Sequence, residues 1–204
     1  MSISFVQQYK KLYAAGFTVF HNDAVIGTLS MKGRLGSREG QWNGTVMGRQ
    51  ISMKRCSGVP GFRPYEISVD GRLAGSVSQI DVKTGLLSGH QYHQLQLEGR
   101  SYQLYAVGLG KQGGVCSLYC DGSQLAEIDT EATVYNELFR FETFAVDTDS
   151  AFVSILLCCY MYMLGCYRPG EAVSSSVRTR VTVTTNKDLL AKYDPNFKAM
   201  NKTL

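Results

Sequence analysis

Between Ser150 and Gly170 the chain reads SAFVSILLCCYMYMLGCYRPG, and no residue from Ala151 to Tyr167 carries a charge. On a helix, Phe152, Ile155, Leu156, Leu157, Tyr160, Met161, Met163 and Leu164 are distributed around the axis, so no face is offered to water. Such a helix lies in lipid or is enclosed by protein. Asp147-Thr148-Asp149 before it can cap the first free amides, and Arg168-Pro169-Gly170 after it places a cation and two breakers at the far end. The sequence therefore predicts one apolar helix over 150–167.

Two arguments favour enclosure by protein. Seventeen uncharged residues are at the short limit of what crosses the hydrocarbon. The basic flank is C-terminal, so a span obeying the positive-inside tendency would export about 150 preceding residues without a signal. The N-terminal MSISFVQQYKKLYAAGF has no continuous apolar core and no small-residue cleavage site, and a cytoplasmic protein is expected.

The remainder of the chain supplies the enclosure. Its 204 residues suit one domain with a full core. Glycine is abundant and proline scarce, 21 against 4, with the glycines set between short apolar runs, as hairpins require. VFHNDAVIG (19–27), ISVDGRLAG (67–75) and LYCDGSQLAE (118–127) each place Asn-Asp or Asp-Gly between alternating apolar residues, the signature of a turn with two positive φ angles. Alternation also marks 91–108, with a turn at Glu98-Gly99-Arg100, and further strands near 44–54, 76–83, 125–130 and 139–146. VRTRVTVTT (177–185) reads as an edge strand and NKDLLAKY (186–193) as a short helix stopped at Asp194-Pro195. Hairpins of this kind close into a barrel, and a wide barrel has an interior to fill.

FRPYEISVDGRLAGSVSQ (62–79) and FAVDTDSAFVSILLCCY (144–160) resemble the strand pair and the start of the central helix in the tubby C-terminal-like superfamily, in its LURP-one-related and phospholipid scramblase-like branch and bacterial-type members. The resemblance covers roughly 5–170 and implies a mainly β fold, a closed 12-stranded β-barrel around a central hydrophobic α-helix. It divides the chain into a barrel over 1–170 and a basic C-terminal appendage over 171–204. It also implies membrane-associated or signalling roles, with anionic phospholipid headgroups as the ligand class. The acidic calcium-binding segment of scramblases is matched here only by Asp147 and Asp149, so neither a metal nor a cofactor is implied.

Candidate chemistry is sparse. GLGKQGGV (108–115) lacks the phosphate-loop spacing and reads as a hairpin loop. His90 and His93 have no third metal ligand nearby in sequence, and no nucleophile-base or paired-carboxylate signature appears, so an enzyme is not expected. Cys158 and Cys159 sit in the apolar run and Cys116 and Cys120 in a strand, where thiols act as small hydrophobes.

What remains is charge. Through Arg63 there are nine basic residues against two acidic ones, while residues 64–167 carry five against twelve. Lys32, Arg34, Arg38, Trp42, Arg49, Lys54 and Arg55 form the candidate site, cations for a headgroup phosphate and an indole for stacking or the lipid interface. The expectation is a non-enzymatic binding or scaffold module that recognises anionic headgroups, peripheral to the inner face of a membrane. Nucleic acid on the same basic edge and a small molecule in the barrel mouth are the alternatives.

Overall fold

The computed structural model describes residues 1–33, 40–56, 64–83, 89–108, 114–129, 140–163 and 191–202. Twelve antiparallel strands run in order around one closed barrel: β1 Ser2–Lys11, β2 Ala14–His21, β3 Ala24–Lys32, β4 Gln41–Val46, β5 Arg49–Arg55, β6 Tyr65–Val69, β7 Arg72–Lys83, β8 Gly89–Leu97, β9 Arg100–Gly108, β10 Gly114–Cys120, β11 Ser123–Asp129 and β12 Arg140–Ala145. β1 pairs with β12 from Ser2↔Phe144 to Val6↔Arg140, which leaves no sheet edge open. Eight strands enclose little more than side chains, whereas twelve leave width for a helix.

The apolar run fills that width. Helix α1 spans Thr148–Met163, and every residue from Ser150 to Met163 is buried. It starts two residues before the expected boundary because Asp147 is the cap: its Oδ1 accepts the Ser150 N–H at 2.7 Å and its backbone carbonyl accepts that of Ala151 at 3.0 Å. The expected end of the helix over 164–167 and its stop at 168–170 lie outside the described residues. Among the described residues no helix is long and apolar enough to cross a membrane. Burial explains the cysteines as well, since it pushes the Cys158 thiol up to about 12 and Cys159 well above its usual value.

The barrel has two unlike rims. At one, five hairpins close through two-residue turns in which both positions have positive φ: Asn22-Asp23, Met47-Gly48, Asp70-Gly71, Glu98-Gly99 and Asp121-Gly122. The Met47-Gly48 turn divides the strand expected over 44–54 into β4 and β5, with Met in a position that asparagine or aspartate usually takes. Helix α1 begins at this rim. The other rim carries the hairpin tip Leu12-Tyr13 and the longer connections after β3, β5, β7, β9 and β11.

The C-terminal segment touches the barrel. Residues 191–192 are helical, as expected for the end of 186–193, and a second helix, α2, spans Phe197–Asn201. The expected strand over 177–185 lies outside the described residues. On the outer face of β11 the Tyr193 hydroxyl donates to Glu127 Oε2 at 3.0 Å, and Lys198 Nζ reaches Asp129 Oδ2 at 2.7 Å. Burial raises the Glu127 carboxyl against the lowering effect of the Tyr193 hydrogen bond.

Candidate functional site

The basic residues of the first third are arranged by strand parity. In β5, Ile51 and Met53 face the core, so Lys54 faces out, whereas Arg49 and Arg55 belong to the inward set. Arg49 lies at the tight-turn rim, its guanidinium 4.4 Å from the centre of the Phe152 ring and paired with Glu98. With Asp70, Arg72, Leu73 and Glu98 it lines an open cleft of about 420 Å³. Five residues of extended chain, about 17 Å, separate it from Lys54, more than one headgroup spans. Arg55 sits at the opposite end, where its Nε is buried without a hydrogen-bond partner among the described residues.

Trp42, expected at the ligand surface, lies in the core instead. It is 0% exposed, and its indole N–H donates to the Cys159 carbonyl of α1 at 3.0 Å. Phe17 and Tyr162 pack on it with ring centroids at 5.1 and 5.7 Å. The parity of β4 sends Trp42 inward beside Met31 and Met53, so it holds the helix and meets no ligand at the surface. Arg34 and Arg38 lie outside the described residues. The described members of the expected site therefore do not share one surface.

Two of them, Lys32 and Lys54, belong to a different arrangement. The ladder Lys11↔Ala14↔Lys32↔Gln41↔Lys54 runs around the outer wall at the long-connection rim. Every second strand supplies an exposed ammonium, at intervals of about 10 Å. Lys54 is 3.6 Å from Glu66, the next residue of the row, while Lys11 lies 5.9 Å from the Tyr9 ring. A bulge puts Lys11 there. Ile3, Phe5 and Gln7 face the core, and strict alternation would turn Tyr9 and Lys11 inward too. The register instead shifts between Gln7 and Tyr9, so that Tyr9 pairs with Gly16 and lies across it: a Cβ at Gly16 would fall 2.2 Å from the Tyr9 ring. The sequence shows Lys10-Lys11-Leu12-Tyr13 plainly, but a bulge has no signature there, and the expected site does not include that stretch.

The row ends at an exposed tip. Leu12 is 73% exposed and Tyr13 60%, with Lys10 and Lys11 immediately before them. The Gly33 N–H donates to the Tyr13 carbonyl at 2.9 Å, which ties the tip to the end of β3 and to Lys32.

Inside the same rim is a polar patch of another kind. The His93 ring packs edge-on against Tyr160 of α1 at 5.2 Å, and Tyr65, the ladder partner of Arg55, packs on that tyrosine at 5.5 Å. His93 Nδ1 is buried without a partner among the described residues, and burial lowers its pKa to about 4. The imidazole is neutral at physiological pH. Among the described residues no three His, Cys, Asp or Glu side chains come within range of one metal ion.

Comparison of the chain with protein families, with curated proteins and with solved structures returns no match.

Proposed function

We propose that the protein is a non-enzymatic module that binds anionic phospholipid headgroups at a membrane surface through the outer wall of its long-connection rim. The observation that carries this reading is the row of exposed ammoniums from Lys11 through Lys32 to Lys54. Spacing of about 10 Å suits separate headgroups of a lipid sheet better than one chelated phosphate. The opposite rim supports the orientation. Asp23, Asp70, Glu98 and Asp121 occupy its turns and Asp147 and Asp149 flank the start of α1, so an anionic surface repels that end and attracts the other. The sequence resemblance to the tubby-like superfamily, with its lipid-associated roles, points the same way. This reading carries with it a cytoplasmic protein that visits the inner face of a membrane.

The test is cosedimentation with vesicles containing phosphatidylserine. Replacing Lys11, Lys32 and Lys54 with glutamine should leave the barrel folded, because all three side chains are exposed. Binding should weaken by about 1 kcal/mol for each charge near the surface, with the smallest share from Lys54 because Glu66 already neutralises it, and the salt dependence should fall in step. Equal binding by parent and variant rejects the row. Tighter binding to RNA or DNA than to vesicles, lost in the same variant, assigns it to nucleic acid instead.

A barrel-mouth ligand is the second reading, favoured by the unpartnered Arg55 Nε and His93 Nδ1. A buried polar group without a partner costs about 1–3 kcal/mol, which a ligand acceptor would recover. Native mass spectrometry of the purified protein tests it. A retained small molecule that disappears in His93→Phe supports it, and the bare chain mass rejects it.

A further inference from the structure

We infer that the β1–β2 hairpin tip is a membrane-inserting anchor, with Leu12 and Tyr13 entering the boundary between headgroups and acyl chains while Lys10, Lys11 and Lys32 hold the phosphates above them. The inference rests on the anionic-surface reading and adds to it an apolar contact that charge alone does not provide.

Single exposed apolar residues are ordinary on a protein surface, and Val25 and Leu73 at the other rim are of that kind. The tip differs in company and in support. Leu12 and Tyr13 are adjacent, Tyr9 at 43% exposure stands behind them, and three ammoniums surround the group. An apolar point ringed by lysines matches the layering of a bilayer leaflet, acyl chains inside and anionic phosphates outside. Tyrosine also favours this depth, because its ring is apolar and its hydroxyl stays among the headgroups.

The tip is held out rather than folded back. The Gly33 amide fixes the Tyr13 carbonyl, and the bulge after Gln7 turns Tyr9 across Gly16, where the absence of a side chain gives the ring room. Gln7, the last inward residue before the bulge, donates to the Tyr162 hydroxyl at 2.9 Å, so the base of the hairpin is bonded to the central helix. A tip held in advance loses little conformational freedom on insertion.

The experiment uses the full chain and vesicles of phosphatidylcholine with phosphatidylserine. Leu12→Ser/Tyr13→Ser should bind about 100-fold more weakly than the parent, since each side chain contributes about tenfold when its exposed area leaves water. The salt dependence should remain that of the parent, because no charge has changed. Leu12→Trp supplies an independent readout: its emission should shift to the blue on binding and be quenched by lipids brominated on the acyl chain. In the parent Trp42 is enclosed and should show neither effect. Parental affinity of the double serine variant, or an unquenched Trp at position 12 on bound protein, overturns the anchor and leaves the lysine row standing. Failure of the parent to bind vesicles overturns both. A blue shift that grows with protein concentration in the absence of vesicles overturns the anchor by assigning the tip to contact with a second copy.

Discussion

Trp42→Phe separates a structural tryptophan from a surface one. The substitution removes the indole N–H that donates to Cys159 of α1, and it removes two ring carbons from a site with no solvent exposure. The lost hydrogen bond contributes about 1 kcal/mol. Two buried carbons at about 0.8 kcal/mol each add about 1.6, and the unfilled space between Phe17 and Tyr162 adds to that, for a total near 3 kcal/mol. A tryptophan lying on the surface for lipid contact would change stability by no more than about 0.5 kcal/mol on the same substitution. Three kcal/mol in a chain of this size lowers Tm by about 6–12 °C. Circular dichroism is the assay for the variant, because Trp42 is the only tryptophan. In the parent its emission should be blue-shifted and resistant to acrylamide. A variant melting within 2 °C of the parent, or a parent quenched by acrylamide as free indole is, refutes the placement of Trp42 between wall and helix.

Leu157 is 1% exposed, so Leu157→Lys should abolish soluble folded protein while Leu157→Met costs less than about 1.5 kcal/mol; a cooperative melt of the lysine variant in size-exclusion-purified material would show that α1 is not enclosed. His93 is neutral in the fold, with its pKa held near 4 by burial against about 6.5 when unfolded, so stability is full above pH 6.5 and declines as pH falls toward 4. That difference corresponds to about 3 kcal/mol, and urea unfolding between pH 7.5 and 4.5 should show a shallower acid decline in His93→Phe than in the parent. Equal declines would mean that the ring is solvated. At Gly75 an added Cβ would lie 1.9 Å from the Gln96 carbonyl oxygen on the neighbouring strand, so Gly75→Val should cost more than about 3 kcal/mol by forcing backbone apart; an unchanged denaturant midpoint would show that β7 and β8 do not approach so closely.

The architecture was legible because its two signals act locally and do not compete. An uncharged helical run with Asp147 before it and hairpin turns such as Asp70-Gly71 and Asp121-Gly122 need no tertiary information to be recognised. The Met47-Gly48 turn was hidden because methionine gives no hint of a positive φ. The site was harder, for a reason of parity. Whether a cation on a strand faces water or core depends on register, so Arg49, Lys54 and Arg55 look equivalent in sequence and end in three different places. Lys11 adds a bulge to that problem, and Lys32 and Lys11 become neighbours only through the β2–β3 ladder.

The helix that fills the barrel is encoded after all twelve strands that surround it. While the chain emerges from the ribosome, β1 waits for β12, some 138 residues later, and the inward faces of the strands have nothing to cover until Thr148–Met163 is made. Assembly therefore cannot proceed outward from a preformed core, as it does where a helix comes first. A nascent chain stalled before β12 is a curled, unsealed sheet with an apolar inner wall and two unpaired edges, a form that binds other chains or a chaperone. Folding is gated by the central helix, and premature termination upstream of residue 148 yields an aggregation-prone product and not a smaller barrel.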